Sequence, residues 1–317
     1  MRRRITALLG TVAVAVGALV ASPSGAATAQ YPVPYTFLSS AITAGLAMNS
    51  DAPGSNIWTC KPSTAHPEPV VLTHGLLGDK STNWQTYAPL LANNGYCVYA
   101  LTYGVNPGTP TGFDQFGGLA RVEDSAAQLA AFVKKVLAAT GARKVDIVGH
   151  SEGTVMPDYY IKFLGGARYV DKYVSLAPLW HGTDPAGLAT LAQLGNPFGV
   201  TPQIFAAMSS YFASGPELLT GSAFWAKLRS GGTPAVRGVR YTNIVTKYDE
   251  LVSPYTSGIQ TGMTNYTVQD FCSTDYAEHF EIAADPVAAQ LVLNALDPAH
   301  PAPVPCTLVL PFEGTPG

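Results

Sequence analysis

Charge is scarce in this sequence. Asp, Glu, Lys and Arg together make up 12% of the 317 residues and nearly cancel, leaving a net charge of −3. That excludes a basic field able to hold nucleic acid, and the sequence carries no acidic tail. Cysteine is limited to four residues, Cys60, Cys97, Cys272 and Cys306. No Cys-x-x-Cys or His-x-x-x-His spacing accompanies them, which argues against a metal site. No ligand set for calcium can be read either, and neither metal nor cofactor is expected. Long apolar runs are missing, with one exception: Ile5 to Val20, preceded by Arg2, Arg3 and Arg4 and followed by small residues as far as Ala27-Thr28-Ala29. A charged start, an apolar stretch and an Ala-x-Ala pattern predict a secretory signal over 1–29, cut before Gln30. The run is short for a membrane anchor, so no transmembrane segment is expected in the mature chain.

Apolar residues are plentiful, at 47% of the chain, enough for a sizeable core. A single domain over 30–317 is expected. An oxidising compartment suits the four cysteines, which allow three pairings. Cys60–Cys97 and Cys272–Cys306 are favoured because each joins neighbouring segments.

Gln30 to Pro67 is rich in Pro, Ser, Ala and Gly and reads as a leader wrapped over the surface. Strand patterns come next at Val70–Thr73, Tyr96–Leu101, Val145–Val148, Tyr173–Ala177 and Tyr241–Thr246, with a weaker one at Tyr266–Val268. Helical periodicity lies between them. Leu129, Phe132, Val133, Val136 and Leu137 share a face of a helix from Arg121 to Thr140 that Gly141 stops. A second helix runs from Ser151 as far as about Leu164, with Pro157 expected to kink it or force a 3₁₀ turn. Asp285-Pro286 opens the last helix. Strands alternating with helices predict an α/β fold with a mostly parallel sheet.

One interval, about 183–239, is far longer than an ordinary crossover and is expected to hold a cap. Within it Ile204, Phe205, Met208, Tyr211 and Phe212 share a helical face. That face either packs on its own domain or lines an acyl-binding cleft; Phe205, Met208 and Phe212, with Trp180 beside the interval, are the candidate substrate contacts.

The chemistry centres on Gly149-His150-Ser151-Glu152-Gly153, a Gly-x-Ser-x-Gly pattern directly after a strand. A serine on so tight a turn must adopt a strained backbone, and the flanking glycines let chains pass closely. A serine hydroxyl is a weak nucleophile that needs a base, and the base needs an orienting acid. Of six histidines, His279 lies on a loop just before the last helix, with His181 its one serious competitor. His74 and His150 sit in turn motifs and are expected to brace loops. Asp249 is the first carboxylate past the Tyr241–Thr246 strand; Glu250 is the fallback and Asp275 a third choice. An oxyanion hole needs two backbone N–H groups, expected from Leu76 and Glu152. The Glu152 carboxylate should point outward, away from the developing charge.

The chain resembles the secreted bacterial class 2 triacylglycerol lipases of the α/β-hydrolase superfamily. The likeness runs from about Trp58 to His300. It is carried by Trp58-Thr59-Cys60-Lys61-Pro62-Ser63, Pro69-Val70-Val71-Leu72-Thr73-His74-Gly75, Gly95-Tyr96-Cys97-Val98, the Val145–Ser151 stretch, Met156-Pro157 through Gly165-Gly166-Ala167, and Leu176-Ala177-Pro178 with His181-Gly182-Thr183. The resemblance implies an α/β-hydrolase fold and a lipase or esterase with Ser151, Asp249 and His279 as its triad, and it supports the two local disulfides. It departs from the family at Glu152-Gly153-Thr154, where similar proteins often carry Gln-Gly-Gly, and at Pro178-Leu179-Trp180-His181. The expected substrate is a lipid or other ester at a lipid–water interface. A short-chain esterase, a polyester depolymerase or an acyltransferase are alternatives on the same scaffold; a non-catalytic binding protein is the remote one.

Overall fold

The computed structural model describes residues 30–47, 49–106, 108–109, 114–187, 190 and 212–316. The expected signal segment 1–29 and the middle of the expected cap, including Phe205 and Met208, lie outside them. The chain divides into two compact units, Met1–Gln30 and Tyr31–Gly317.

The second unit is built on a six-stranded sheet in the order β2-β1-β3-β4-β5-β6, with every neighbouring pair parallel. The strands are β1 (Val70–Thr73), β2 (Val98–Leu101), β3 (Val145–His150), β4 (Val170–Leu176), β5 (Arg240–Val245) and β6 (Thr264–Thr267). The inner strands β1 and β3 are buried along their whole length. That is why they read as continuous apolar runs rather than alternating ones. Side chains nevertheless leave each strand on alternate faces. Val71, Tyr99, Ile147 and Tyr173 pack on one side beneath α3 (Val122–Thr140) and α4 (Met156–Phe163). Leu72, Val148, Val174 and Ile244 pack on the other beneath α2 (Tyr87–Asn93) and the last helix, Pro286–Leu296.

Several local expectations hold. Gly141 caps α3 in the left-handed conformation with φ 78°. Asp285 accepts the N–H groups of Val287 and Ala288 and so caps the last helix. Pro157 occupies the first turn of α4, where its missing N–H has no helical partner to lose. The interruption falls just before it, as a 3₁₀ turn over Ser151–Thr154.

The leader is not wholly irregular: Phe37–Gly45 forms a helix, α1. The described end of the 183–239 interval packs against the domain. Its helix Ala223–Leu228 puts Phe224 6.2 Å from the Tyr159 ring of α4, and Lys162 of α4 donates to the carbonyls of Leu228, Ser230 and Thr233. Both disulfides expected from the sequence are formed, Cys60–Cys97 and Cys272–Cys306.

Chain order in the sheet reverses between β2 on one side of β1 and β3 on the other. A crevice opens at such a point beyond the carboxyl ends of the strands. The loops after β1 and β3 meet there.

Candidate active site

β3 ends at His150, and Ser151 comes directly after it with φ 55°. A non-glycine residue in that left-handed region carries backbone strain of about 1–3 kcal/mol, held in place by its surroundings. The flanking glycines show how tight those surroundings are. A Cβ on Gly149 would lie 2.1 Å from the Gly153 carbonyl oxygen, and one on Gly153 would lie 2.0 Å from that of Thr73. Thr73 Oγ1 also donates to the Gly153 carbonyl at 2.7 Å. The nucleophile turn is therefore fastened to the end of β1.

Three side chains distant in sequence converge here. His279 Nε2 is 2.9 Å from Ser151 Oγ, and His279 Nδ1 is 2.8 Å from Asp249 Oδ1. The same Asp249 oxygen accepts the N–H groups of Leu251 and Val252, so it is fixed before it meets the ring. His279 is 2% exposed. Burial alone would lower its pKa, but the Asp249 carboxylate, helped by Glu250 and Glu278, raises it above the ordinary 6.5.

Carboxylates brace the loop that carries His279. Glu250 Oε2 accepts the backbone N–H of His279. Glu278 accepts the N–H groups of Phe280, Glu281 and Phe312, while burial and the neighbouring Glu250 push its own pKa up to about 7. Thr246 Oγ1 donates to the Ala277 carbonyl at 2.5 Å and ties the acid's loop to the base's.

His74 and His150 act as braces, as their turn contexts suggest. His74 Nδ1 donates to the Gly75 carbonyl and its Nε2 accepts the Tyr103 N–H, which fixes the neutral tautomer. Burial holds it at about 4. His150 Nε2 lies against the His279 carbonyl and its Nδ1 against Asn83 Oδ1; burial and the neighbouring His279 lower its pKa to about 3. His181 is exposed, and Asp275 turns back to accept the Ala277 N–H.

The loop after β1 runs directly against the nucleophile: a Cβ on Gly75 would sit 3.1 Å from Ser151 Cβ. Leu77 takes φ 63° and donates to the Gly117 carbonyl, while Gly117 donates back to Gly78. Among the described residues nothing accepts the Leu76 N–H. The Glu152 N–H, second in its 3₁₀ turn, has no intrahelical acceptor.

Two expectations need correcting. Glu152 does not point outward: it is 0% exposed, and neither carboxyl oxygen has a hydrogen-bond partner. Its side chain turns under the loop, where a Cβ on Gly118 would come within 2.7 Å of Glu152 Oε2. Burial, with some help from the charge of Glu217, raises its pKa well above the usual carboxylate range and so favours the protonated form. Trp180 does not face the cleft. Its indole N–H donates to Asn243 Oδ1, and the ring packs edge-on to Tyr173 and Tyr241 in the core. Its neighbour Leu179 faces the cleft instead. Phe212 is half-buried beside Gly215.

A cavity of about 310 Å³ opens over Ser151 and His279. Its walls include Leu76, Leu179 and Leu251, and along one side the helix α1. Sequence patterning does not reveal α1, since its apolar residues face a cavity and solvent as much as a core.

The comparisons with known proteins agree with this architecture. A triacylglycerol lipase of Pseudarthrobacter phenanthrenivorans is 32% identical over 148 residues, covering 41% of this chain and 43% of that protein. One of Burkholderia plantarii is also 32% identical over 148 residues, covering 41% of this chain and 38% of that protein. The chain thus matches less than half the length of these relatives. Among solved structures, lipase B of Aspergillus fumigatus superposes with a TM-score of 0.59 at 20% identity, covering 80% of this chain and 57% of that one. Lipase BlEst2 of Bacillus licheniformis, in its mature form, superposes at 0.55 and 16%, covering 77% and 96%. At such identities the structures speak for the shared α/β-hydrolase fold. The sequence itself matches the lipase (class 2) family model over residues 67–292, most of its length: this chain belongs to the class 2 lipase family.

Proposed function

We propose that this protein is a secreted serine hydrolase that cleaves carboxylic esters of lipids, with Ser151, His279 and Asp249 as its catalytic triad. The observation that carries this reading is the continuous chain of contacts from Ser151 Oγ through the His279 ring to Asp249, at 2.9 and 2.8 Å. That is the reach a nucleophile, base and orienting acid require.

Ser151 Oγ attacks the ester carbonyl carbon as its proton passes to His279 Nε2. Asp249 keeps the Nδ1–H in place and stabilises the imidazolium. The carbonyl oxygen gains negative charge in front of the Leu76 and Glu152 N–H groups. His279 then gives its proton to the departing alcohol, leaving Ser151 acylated. A water molecule, deprotonated by His279, attacks the acyl-enzyme, and the acid leaves as the proton returns to Ser151. Each oxyanion donor is worth about 10²–10³ in rate. The raised pKa of Glu152 suits this role, because an ionised carboxylate so near would oppose the developing charge.

Membership of the lipase family and the apolar cavity support a lipid ester as substrate. The two disulfides and the pattern of residues 1–29 support secretion; no helix among the described residues is long and apolar enough to cross a membrane. The test is hydrolysis of emulsified triglyceride and of a soluble ester by the wild type and by Ser151→Ala. Hydrolysis by the wild type that the substitution abolishes supports the reading; a variant with full activity refutes it.

A further inference from the structure

The helix α1 borders the cavity through Phe37, Ala41, Ile42, Gly45 and Leu46. Positions 37, 41 and 45 lie four apart and share one face of the helix, with Ile42 and the capping residue Leu46 beside that row. The face runs outward from the reacting groups. Its first residue, Phe37, stacks on Phe280, next to the base, with ring centres 5.7 Å apart, and lies 6.3 Å from the His150 ring. Its last residues reach solvent, Ile42 being 40% and Leu46 85% exposed. Eight steps at 1.5 Å make the helical wall about 12 Å long.

The wall is fixed at its inner end. The Phe37 N–H donates to Glu281 Oε2 at 2.9 Å, two residues beyond His279. Side chains on the wall become smaller beyond Phe37. Ala41 is buried, and a Cβ on Gly45 would meet nothing closer than Thr82 Cγ2 at 3.8 Å. Several of the facing polar atoms are already engaged, although Asn83 Nδ2 has no partner. Asp79 Oδ1 accepts the N–H groups of Ser81 and Thr82, Thr82 Oγ1 accepts that of Asp79, and Asn83 Oδ1 accepts that of Gly75. Along the α1 side an alkyl chain needs only apolar contact.

We propose that α1 is the acyl-chain wall of the cleft, selecting medium- to long-chain fatty acyl esters, with Ala41 and Gly45 leaving the room that the chain occupies. The proposal rests on the ester-hydrolase reading above and deepens it.

The experiment compares kcat/KM for p-nitrophenyl dodecanoate with that for p-nitrophenyl butyrate, so that only the acyl part changes. Ala41→Phe fills the wall and is expected to lower the dodecanoate-to-butyrate ratio at least tenfold. Should that variant fail to fold, the double variant Ile42→Ser/Leu46→Ser changes two exposed positions and is expected to lower the ratio at least threefold. An unchanged ratio in a folded variant overturns the assignment, as does a wild type that cleaves butyrate but not dodecanoate. A wild type that cleaves neither ester removes the hydrolase reading itself, and this inference with it.

Discussion

His150 Nε2 lies 2.8 Å from the backbone carbonyl oxygen of His279. The residue before the nucleophile therefore holds the loop that bears the base, and the two reacting side chains are placed against each other through a bond that neither makes itself. Because burial keeps His150 neutral, its single N–H serves one of two facing acceptors, the His279 carbonyl and Asn83 Oδ1.

Replacing His150 by Phe keeps the bulk and removes the bond. A displacement of about 1 Å at the reacting groups can cost on the order of 10²-fold in rate. The expected outcome is a fall in kcat of that order with KM little changed, measured on a soluble ester. A kcat equal to that of the wild type would show that the loop is held without this contact.

In the proposed mechanism the acid limb of activity is set by His279. Only the neutral ring can accept the Ser151 proton. Burial opposes its charged form, but Asp249, Glu250 and Glu278 outweigh it and raise the pKa above 6.5. Activity should therefore fall as pH decreases, with a midpoint above 6.5. Asp249→Asn should move that midpoint down and reduce kcat by about 10⁴. Profiles of kcat/KM against pH for both proteins check this.

Glu152 links stability to pH in the unusual direction. Its folded pKa lies well above the ordinary 4.5 because the side chain is buried without a partner. Above pH 4.5 the unfolded chain has released a proton that the folded chain still holds. Rising pH therefore favours unfolding until the folded pKa is reached, and below 4.5 the effect vanishes. Glu152→Gln removes that proton. Above pH 4.5 the variant's stability relative to the wild type should therefore rise with pH. Urea denaturation at several pH values measures it; parallel curves would mean that Glu152 ionises in the fold.

The crossing of β1 by the nucleophile turn leaves no room for a side chain at Gly153. In Gly153→Ala the new Cβ would lie 2.0 Å from the Thr73 carbonyl oxygen and 2.4 Å from that of His74. Loss of more than about 4 kcal/mol is expected. Gly262→Ala is the control: its Cβ would meet nothing, though φ is +85°, so the cost should be only about 1 kcal/mol. Thermal melts of both variants decide it.

The sheet was legible because buried parallel strands write themselves as apolar runs: Val70–Thr73 and Val145–Val148 need no context to be read. The positions of Ser151, Asp249 and His279 were legible because each adjoins a recognisable element, and the fold brings these ends to one edge. What could not be read depended on tertiary direction. Phe37–Gly45 has no side-chain cap at Thr36 and comes after a Pro-rich stretch, and two apolar residues beside its cavity-facing row reach solvent; a short helix of that kind is stabilised by packing rather than by local signals. At Leu179-Trp180 the sequence does not say which side chain faces the cleft and which the core. Glu152 is buried against the general cost of hiding a carboxyl group, and only the protonated form makes that placement tolerable.

The triad itself is tested most sharply by labelling with a fluorophosphonate, then locating the label by peptide mass spectrometry. A Ser151 nucleophile activated by His279 predicts one stoichiometric adduct on Ser151, formed with loss of esterase activity and strongly slowed in His279→Ala. An adduct on another residue, or full ester hydrolysis by protein whose Ser151 is blocked, would contradict it.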